Sequence, residues 1–373
     1  MTAARHGREA LRILHVTDSY LPTIGGIELH VSDLAGRQQR AGHVVDIVTR
    51  SASSTIDDCV VHAPHQQGAG PRPPTVERLA RMLSADARYD VVHVHASVYS
   101  PLAWRATLLC ARQRTPVVFT AHSLLTGATR PYRAASRLLR LRRLPVVWSA
   151  VSTAAARSLS RGMAFADGTV RVLPNAVDPA TWRPDTVRGE PDVVTFVTVG
   201  RLAARKRPRA LLRAFHDAGV SPAARLVVVG DGPRAAASRR WCRTHPHTAV
   251  TLLGPQNRQE IRKILHRADV FVAPATRESF GIAALEAHAA GLPVIARAGT
   301  GVADFVEDGV HGLLVDDDLA MSEGIRTLTF DRPLLRKLAT RTQEDPSGYD
   351  WANATALTEA AYDDAAALTC LPR

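Results

Sequence analysis

Residues 270–296 read Val270-Phe-Val-Ala-Pro-Ala-Thr-Arg-Glu-Ser-Phe-Gly-Ile-Ala-Ala-Leu-Glu-Ala-His-Ala-Ala-Gly-Leu-Pro-Val-Ile-Ala296. An apolar run of strand length comes first, then a polar turn, an Ala-rich helical stretch over 281–290, and a second apolar run at 293–296. Strand, helix and strand in this order make a parallel βαβ unit. Two carboxylates, Glu278 and Glu286, stand eight positions apart around the small turn Ser279-Phe280-Gly281. At about 1.5 Å per helical residue, eight positions span about 12 Å. That is close to the reach from a sugar ring, across a pyrophosphate, to a ribose. The amides of Phe280, Gly281 and Ile282 point out of the helix start, where an anion binds well. The stretch therefore reads as one wall of a nucleotide-sugar site.

The same alternation extends in both directions. Apolar runs at 11–16, 44–48, 91–94, 117–119 and 146–151 alternate with helical stretches such as 27–41 and 101–112. The series restarts with runs at 193–199, 225–229, 250–253, 270–273 and 293–296, separated by helices near 206–218, 233–244, 257–267 and 281–290. Alternation of this kind predicts parallel sheets covered on both faces. The break lies at Pro174-Asn-Ala-Val-Asp-Pro-Ala-Thr-Trp-Arg-Pro184, whose three prolines cannot continue a helix or a central strand. The expected architecture is α/β, with two Rossmann-like doubly wound domains facing a central cleft. The expected limits are an acceptor-binding domain over 1–175, a linker over 176–192 and a nucleotide-sugar-binding domain over 193–348. An Ala-rich C-terminal helix over 349–373 is expected to pack back toward the first domain. Residues 68–74, rich in Pro and Gly, read as a surface loop.

A length of 373 residues suits two domains, and 46% hydrophobic with 22% charged residues is ordinary for a globular protein. No apolar run approaches a membrane span, and the N-terminal residues lack the apolar core of a secretory signal. Cys59, Cys110, Cys242 and Cys370 are scattered without motif spacing. A reduced, cytoplasmic protein is expected. The net charge of +12 is uneven: residues 1–180 carry +10 and residues 181–373 carry +2. Between Asp90 and Asp167 there are 11 arginines and no acid. Such a field suits an anionic acceptor or surface. With Arg outnumbering Lys 44 to 3, a compositional bias explains part of it. The stretch 129–143 sets six arginines among Leu138, Leu139 and Leu141. It reads either as a basic amphipathic helix on an anionic bilayer or as a solvated helix.

Several strand ends carry candidate binding groups. Gly25-Gly26 follows the first strand and opens a helix, letting backbone approach a phosphate or sugar closely. His122 ends another strand of the first half. Arg201 leaves the first strand of the second half and Lys206 precedes the next helix, so fork and point charge can converge on a diphosphate. Asp231, between Gly230 and Gly232, is a candidate helix cap. Gln256 can supply amide contacts to a base. The pairs His93/His95 and His245/His247 each share a strand face, as two metal ligands would. No third ligand stands at telling spacing, and no metal is expected.

Taken together these residues resemble the retaining glycosyltransferases of family 4, with the GT-B fold, including those of phosphatidylinositol mannosyltransferase and inositol-phosphate N-acetylglucosaminyltransferase type. The resemblance runs from Ile13 to about Leu368. It rests on Gly25-Gly26, His122, Pro174-Asn175, Arg201 with Lys206, and Glu278 with Glu286. It implies transfer of a hexosyl group from a UDP- or GDP-sugar to a hydroxyl of a glycan, glycolipid, small polyol or natural product. Arg201 and Lys206 would hold the donor pyrophosphate, Glu286 the ribose and Glu278 the donor sugar, with His122 beside the transferred sugar. No metal or other cofactor would be needed. Ala176 and Thr300-Gly301-Val-Ala-Asp304 depart from the family pattern, where Gly and Gly-Gly-x-x-Glu are usual. Two other readings fit the basic first half: a GT-B protein without turnover, and a protein that binds membrane or nucleic acid. Few aromatics, at 5%, argue against stacking on single-stranded nucleic acid.

Overall fold

A computed structural model describes residues 10–22, 25–51, 60–62, 89–125, 129–184, 189, 191–345 and 347–370. Cys59 and the loop expected at 68–74 lie outside the described residues. In chain order the elements are β1 (Arg12–Thr17), α1 (Gly26–Arg40), β2 (Val44–Thr49), β3 (Val60–His62), β4 (Val91–Ala96), α2 (Pro101–Gln113), β5 (Val117–Ala121), α3 (Thr129–Leu138), β6 (Val147–Ala150), α4 (Thr153–Met163) and β7 (Arg171–Val172). Then come α5 (Pro179–Trp182), β8 (Val194–Val199), α6 (Pro208–Asp217), β9 (Ala224–Val229), α7 (Ala235–Thr244), β10 (Val250–Gly254) and α8 (Arg258–His266). The chain continues through β11 (Val270–Ala273), α9 (Ile282–Ala289), β12 (Val294–Arg297), β13 (Gly312–Val315), α10 (Asp318–Phe330), α11 (Arg332–Glu344) and α12 (Trp351–Cys370).

Contacts divide the chain into Met1–Pro174 with Ala354–Arg373, and Asn175–Asn353. The first unit holds a parallel sheet in the order β3-β2-β1-β4-β5-β6-β7. The second holds a parallel sheet in the order β10-β9-β8-β11-β12-β13. Both are Rossmann-like. In each, strand order reverses beside the unit's first strand, and in such sheets ligands bind beyond the strand C-termini at that point. The point lies between β1 and β4 in one unit and between β8 and β11 in the other.

In the first unit one face of the sheet buries Ile13, Val45, Val91, Val118 and Val147 against Val31 and Ala35 of α1 and Ala361, Tyr362 and Ala365 of α12. The second unit buries Phe196, Leu226, Val228, Val270, Val272 and Ile295 with Leu211, Phe215, Met321 and Ile325. β-Branched and aromatic residues on a pleated, doubly covered sheet explain both cores.

The first part of the segment read as a linker, residues 176–184, is packed and belongs to the second unit; residues 185–188 and 190 lie outside the described residues. Asp178 caps the short helix α5 through the amide of Ala180, Val177 bridges to Asp350, and Trp182 is wholly buried. The prolines do break regular structure, but the two apolar side chains between them anchor the segment. Asp231 is not the helix cap. Its carbonyl accepts the amide of Leu202 at 2.8 Å, and α7 starts later, after Arg234. Gly230 explains the tight turn: at φ +130°, a Cβ there would lie 2.0 Å from the carbonyl oxygen of Gly200.

Candidate active site

In the second unit, Gly200, Arg201, Lys206, Pro274, Glu278 and Gly281 line a recess at the strand C-termini. Arg201 follows β8 after Gly200 and is exposed. Lys206 ends a single 3-10 turn, Ala204–Lys206, and its ammonium donates to the carboxylate of Glu278, which follows β11. Glu278 is nearly buried, and its carbonyl accepts the amide of Gly301 at 2.9 Å. Gly281 then turns the chain at φ +97°, where a Cβ would lie 2.7 Å from a methyl of Val302. It is the N-cap of α9 and offers no side-chain cap, so the first amides of that helix keep no partner from a capping group.

Glu286 lies on α9 with its side chain 13% exposed, and Arg258 Nε is 4.0 Å from its carboxylate. Phe280 packs its ring with Phe305 and Tyr349, so only its backbone is free to face a ligand. Gln256 curls back, its Nε2 donating to the carbonyl of Leu253 at 3.1 Å.

One residue that positions this site carries no signal in the sequence. Arg207, in the left-handed region at φ +53°, makes two bonds of 2.7 Å to Asp318 at the start of α10. A bidentate fork resists rotation, so it pins the turn that displays Lys206. The Arg207 guanidinium holds the Asp318 carboxyl below its usual range, and Asp318 in turn raises Arg207. In sequence Arg207 is one cation among several, and nothing local pairs it with a residue 111 positions on.

In the first unit, Gly25 precedes α1, and a Cβ on it would lie 2.4 Å from the Glu28 carboxylate. The glycine thus makes room for Glu28, which also accepts from the hydroxyl of Ser19 at 2.6 Å. Gly26 is the first residue of α1. His122 follows β5, its amide donating to the carbonyl of Ala96 at 2.8 Å, and it is 5% exposed.

His122 stands in a buried cluster with His15, His30, His93 and His95. The parallel register sets His15 beside His93 and His95 beside Thr120, on the face that α1 and α12 cover. Desolvation pushes the His15 ring down to about 4 and the His122 ring to about 3. Burial first, and then neighbouring imidazoles, hold His30, His93 and His95 well below the usual range. The third ligand missing from the His93/His95 spacing is therefore present in space. Nitrogens of His15, His93 and His95 lie within 4.8 Å of one another, a spacing a metal ion could use. His15 and His95 already bond to each other at 2.9 Å, and His93 bonds to Tyr362 and Thr120. In the second unit His245 instead stacks on Trp241, with ring centroids 4.1 Å apart.

Comparison with known proteins shows the family. The family model described as Glycosyltransferase Family 4 matches residues 24–181, and that described as glycosyl transferases group 1 matches residues 183–345. The chain belongs to glycosyltransferase family 4. This glycosyltransferase is 26% identical over 369 residues to a component of the phosphatidylinositol N-acetylglucosaminyltransferase of Arabidopsis thaliana, covering 95% of this chain and 82% of that protein. It is 29% identical over 406 residues to the D-inositol 3-phosphate glycosyltransferase of Actinosynnema mirum, covering 91% and 92%. Among solved structures it resembles Anabaena HepE in complex with UDP and glucose, at 20% identity and TM-score 0.73, over 94% of this chain and 99% of that one. It also resembles sucrose-phosphate synthase from Thermosynechococcus elongatus, at 22% identity and TM-score 0.73, over 95% and 100%. The fold is GT-B.

Proposed function

We propose that this glycosyltransferase moves a hexosyl group from a UDP- or GDP-sugar to a hydroxyl acceptor, with retention of configuration and without a metal ion. The observation that carries the reading is the Lys206–Glu278 pair in the recess that also holds Arg201 and the start of α9. Cleaving a sugar–phosphate bond builds negative charge on the leaving diphosphate. Arg201, Lys206 and the amides of Phe280, Gly281 and Ile282 meet that charge. A preorganised donor of this kind contributes roughly 3 kcal/mol, or about 10²-fold in rate. Glu278 keeps Lys206 in place before substrate arrives and then faces the donor sugar. Glu286 takes the ribose hydroxyls, Gln256 and the backbone beside it meet the base, and Gly25-Gly26 supplies backbone contacts to the donor. His122 lies beside the transferred sugar. With two cations and a helix start on the diphosphate, the acceptor proton passes to the donor phosphate during same-face attack.

An anionic polyol acceptor is favoured by the basic first half and by the two relatives whose names carry inositol. A panel of UDP, GDP, ADP and their sugars, read by thermal shift, names the donor, because a ligand stabilises the native state according to its affinity. The anomeric configuration of the product, read by NMR, tests retention. Loss of turnover in chelator would refute metal independence.

Among the described residues no helix is long and apolar enough to cross a membrane. A peripheral contact of a cytoplasmic enzyme with an anionic bilayer is supported by α3 and the residues after it. Leu138 is 83% exposed there, among exposed Arg130, Arg133, Arg137 and Arg140. Sedimentation with phosphatidylserine vesicles, abolished by salt, tests it.

A further inference from the structure

The buried histidines form one directed chain of hydrogen bonds, and its direction can be worked out from its inner end. Ser149 Oγ lies 3.0 Å from the carbonyl oxygen of Phe119, which only accepts, so the Ser149 proton is committed there. Its oxygen then accepts from Thr120 at 2.7 Å. With its own proton spent, Thr120 accepts from His93 Nε2 at 2.8 Å. His93 is therefore protonated on Nε2, and its Nδ1 accepts from the Tyr362 hydroxyl at 3.0 Å. Tyr362 in turn accepts from Gln38 Nε2 at 2.9 Å, which leaves Gln38 Oε1 to accept from His15 Nε2 at 2.7 Å. His15 Nδ1 accepts from His95 Nε2 at 2.9 Å, and His95 Nδ1 accepts from His122 Nε2 at 3.0 Å. One proton serves each link. Run the other way, the chain leaves the Ser149 contact with Phe119 or the one with Thr120 without a proton.

We propose that this chain locks His122 as the Nε2–H tautomer and so presents its Nδ1 lone pair as a hydrogen-bond acceptor for a substrate hydroxyl, with His95, His15 and Gln38 as positioning residues. The hydroxyl contact rests on the reading of His122 as the residue beside the transferred sugar; the tautomer does not. Desolvation keeps the rings neutral, so none carries a second proton that would reverse a link. A neutral imidazole that offers a lone pair accepts from an O–H and repels a phosphate oxygen. His122 therefore reads the sugar or acceptor end of the reaction and not the diphosphate, which falls to the cations of the second unit.

Long-range 15N–1H correlation spectra of the full chain labelled in histidine read the tautomers directly. His15, His93, His95 and His122 are expected as neutral Nε2–H forms at pH 7. A His122 that is charged, or protonated on Nδ1, overturns the proposal. Gln38→Met removes the amide that fixes the direction, and His122 then populates the Nδ1–H form; if it remains wholly Nε2–H, the chain does not set it. Tyr362→Phe breaks the same run one link further in and serves if Gln38→Met does not fold. In a variant whose tautomer has changed, kcat/KM falls about tenfold, the worth of one hydrogen bond. Unchanged kcat/KM there refutes the hydroxyl contact and leaves the tautomer standing. Thermal shifts with UDP-glucose against UDP, or GDP-mannose against GDP, separate the two hydroxyl sources. Loss confined to the sugar nucleotide assigns the contact to the donor sugar, and a raised KM for acceptor alone assigns it to the acceptor.

Discussion

Lys206 donates to the carboxylate of Glu278, and the two residues arrive from the ends of β8 and β11, adjacent strands at the point where the second sheet reverses its order. The pair therefore sits where a doubly wound sheet opens to a ligand, with a cation and an anion already matched. Each keeps the other from collapsing onto the surface before a charged substrate arrives.

Lys206→Ala removes one of the donors proposed for the leaving diphosphate and leaves Glu278 without its counter-charge. Turnover is expected to fall about 10²-fold or more, with weaker stabilisation by nucleoside diphosphate and an unchanged far-UV circular dichroism spectrum. Glu278→Gln keeps the shape but not the charge, and is expected to lower kcat more than it raises the KM of the donor. Full activity in Lys206→Ala would remove the basis of the proposed mechanism.

Glu286 tests the nucleotide end of the same wall. Its carboxylate lies on α9 at the other end of the stretch from Glu278, with Arg258 Nε at 4.0 Å, and is the group proposed to take the ribose hydroxyls. Glu286→Ala is expected to weaken nucleotide binding about tenfold, the worth of one charge-assisted hydrogen bond. The readout is isothermal titration with UDP or GDP. An analogue lacking the ribose hydroxyls should bind wild type and variant alike; a difference with that analogue would show that Glu286 acts elsewhere.

The Arg207–Asp318 fork tests how the Lys206 turn is held. Asp318 is 45% and Arg207 27% exposed, so solvent screens the pair and its contribution is about 1 kcal/mol or less. Asp318 has its folded pKa lowered below 3.8, so that contribution is present at neutral pH and is lost as pH falls through the folded value. Arg207→Ala should therefore lower the denaturation midpoint at pH 7 and converge on wild type in strong acid. It should also raise the donor KM, because the turn carrying Lys206 loses its anchor. Equal midpoints and equal KM would mean that the fork holds nothing.

Most of the strands and helices are legible in the sequence because β-branched runs and 3.6-residue patterns are local signals. The strands at Val60–His62, Arg171–Val172 and Gly312–Val315 are not, since two to four residues carry too little pattern to separate from loop. The stretch carrying Glu278 and Glu286 is legible because its strand, turn and helix are consecutive. What stays hidden in the sequence is non-local. His15 meets His93 only through strand register, and Gln38 meets Tyr362 across 324 positions. Gly25 reads as a residue that admits a phosphate, yet in the fold it also makes room for Glu28, which no spacing rule announces.

The histidine cluster should make stability depend on pH in a definite direction. In the unfolded chain each ring titrates near 6.5, whereas burial lowers His15 to about 4 and His122 to about 3 in the fold. Below pH 6.5 the unfolded state therefore binds more protons than the native state, and stability must fall with pH until the folded values are reached. Each unit of separation is worth about 1.4 kcal/mol per ring at full effect, and several rings act together. The denaturant midpoint is expected to drop steadily between pH 6.5 and pH 4. His93→Gln, which keeps a donor and an acceptor but cannot charge, should flatten that slope even if it lowers the midpoint at pH 7. A midpoint identical at pH 7 and pH 5 would mean the rings are not buried neutral, and the tautomer chain would fail with it.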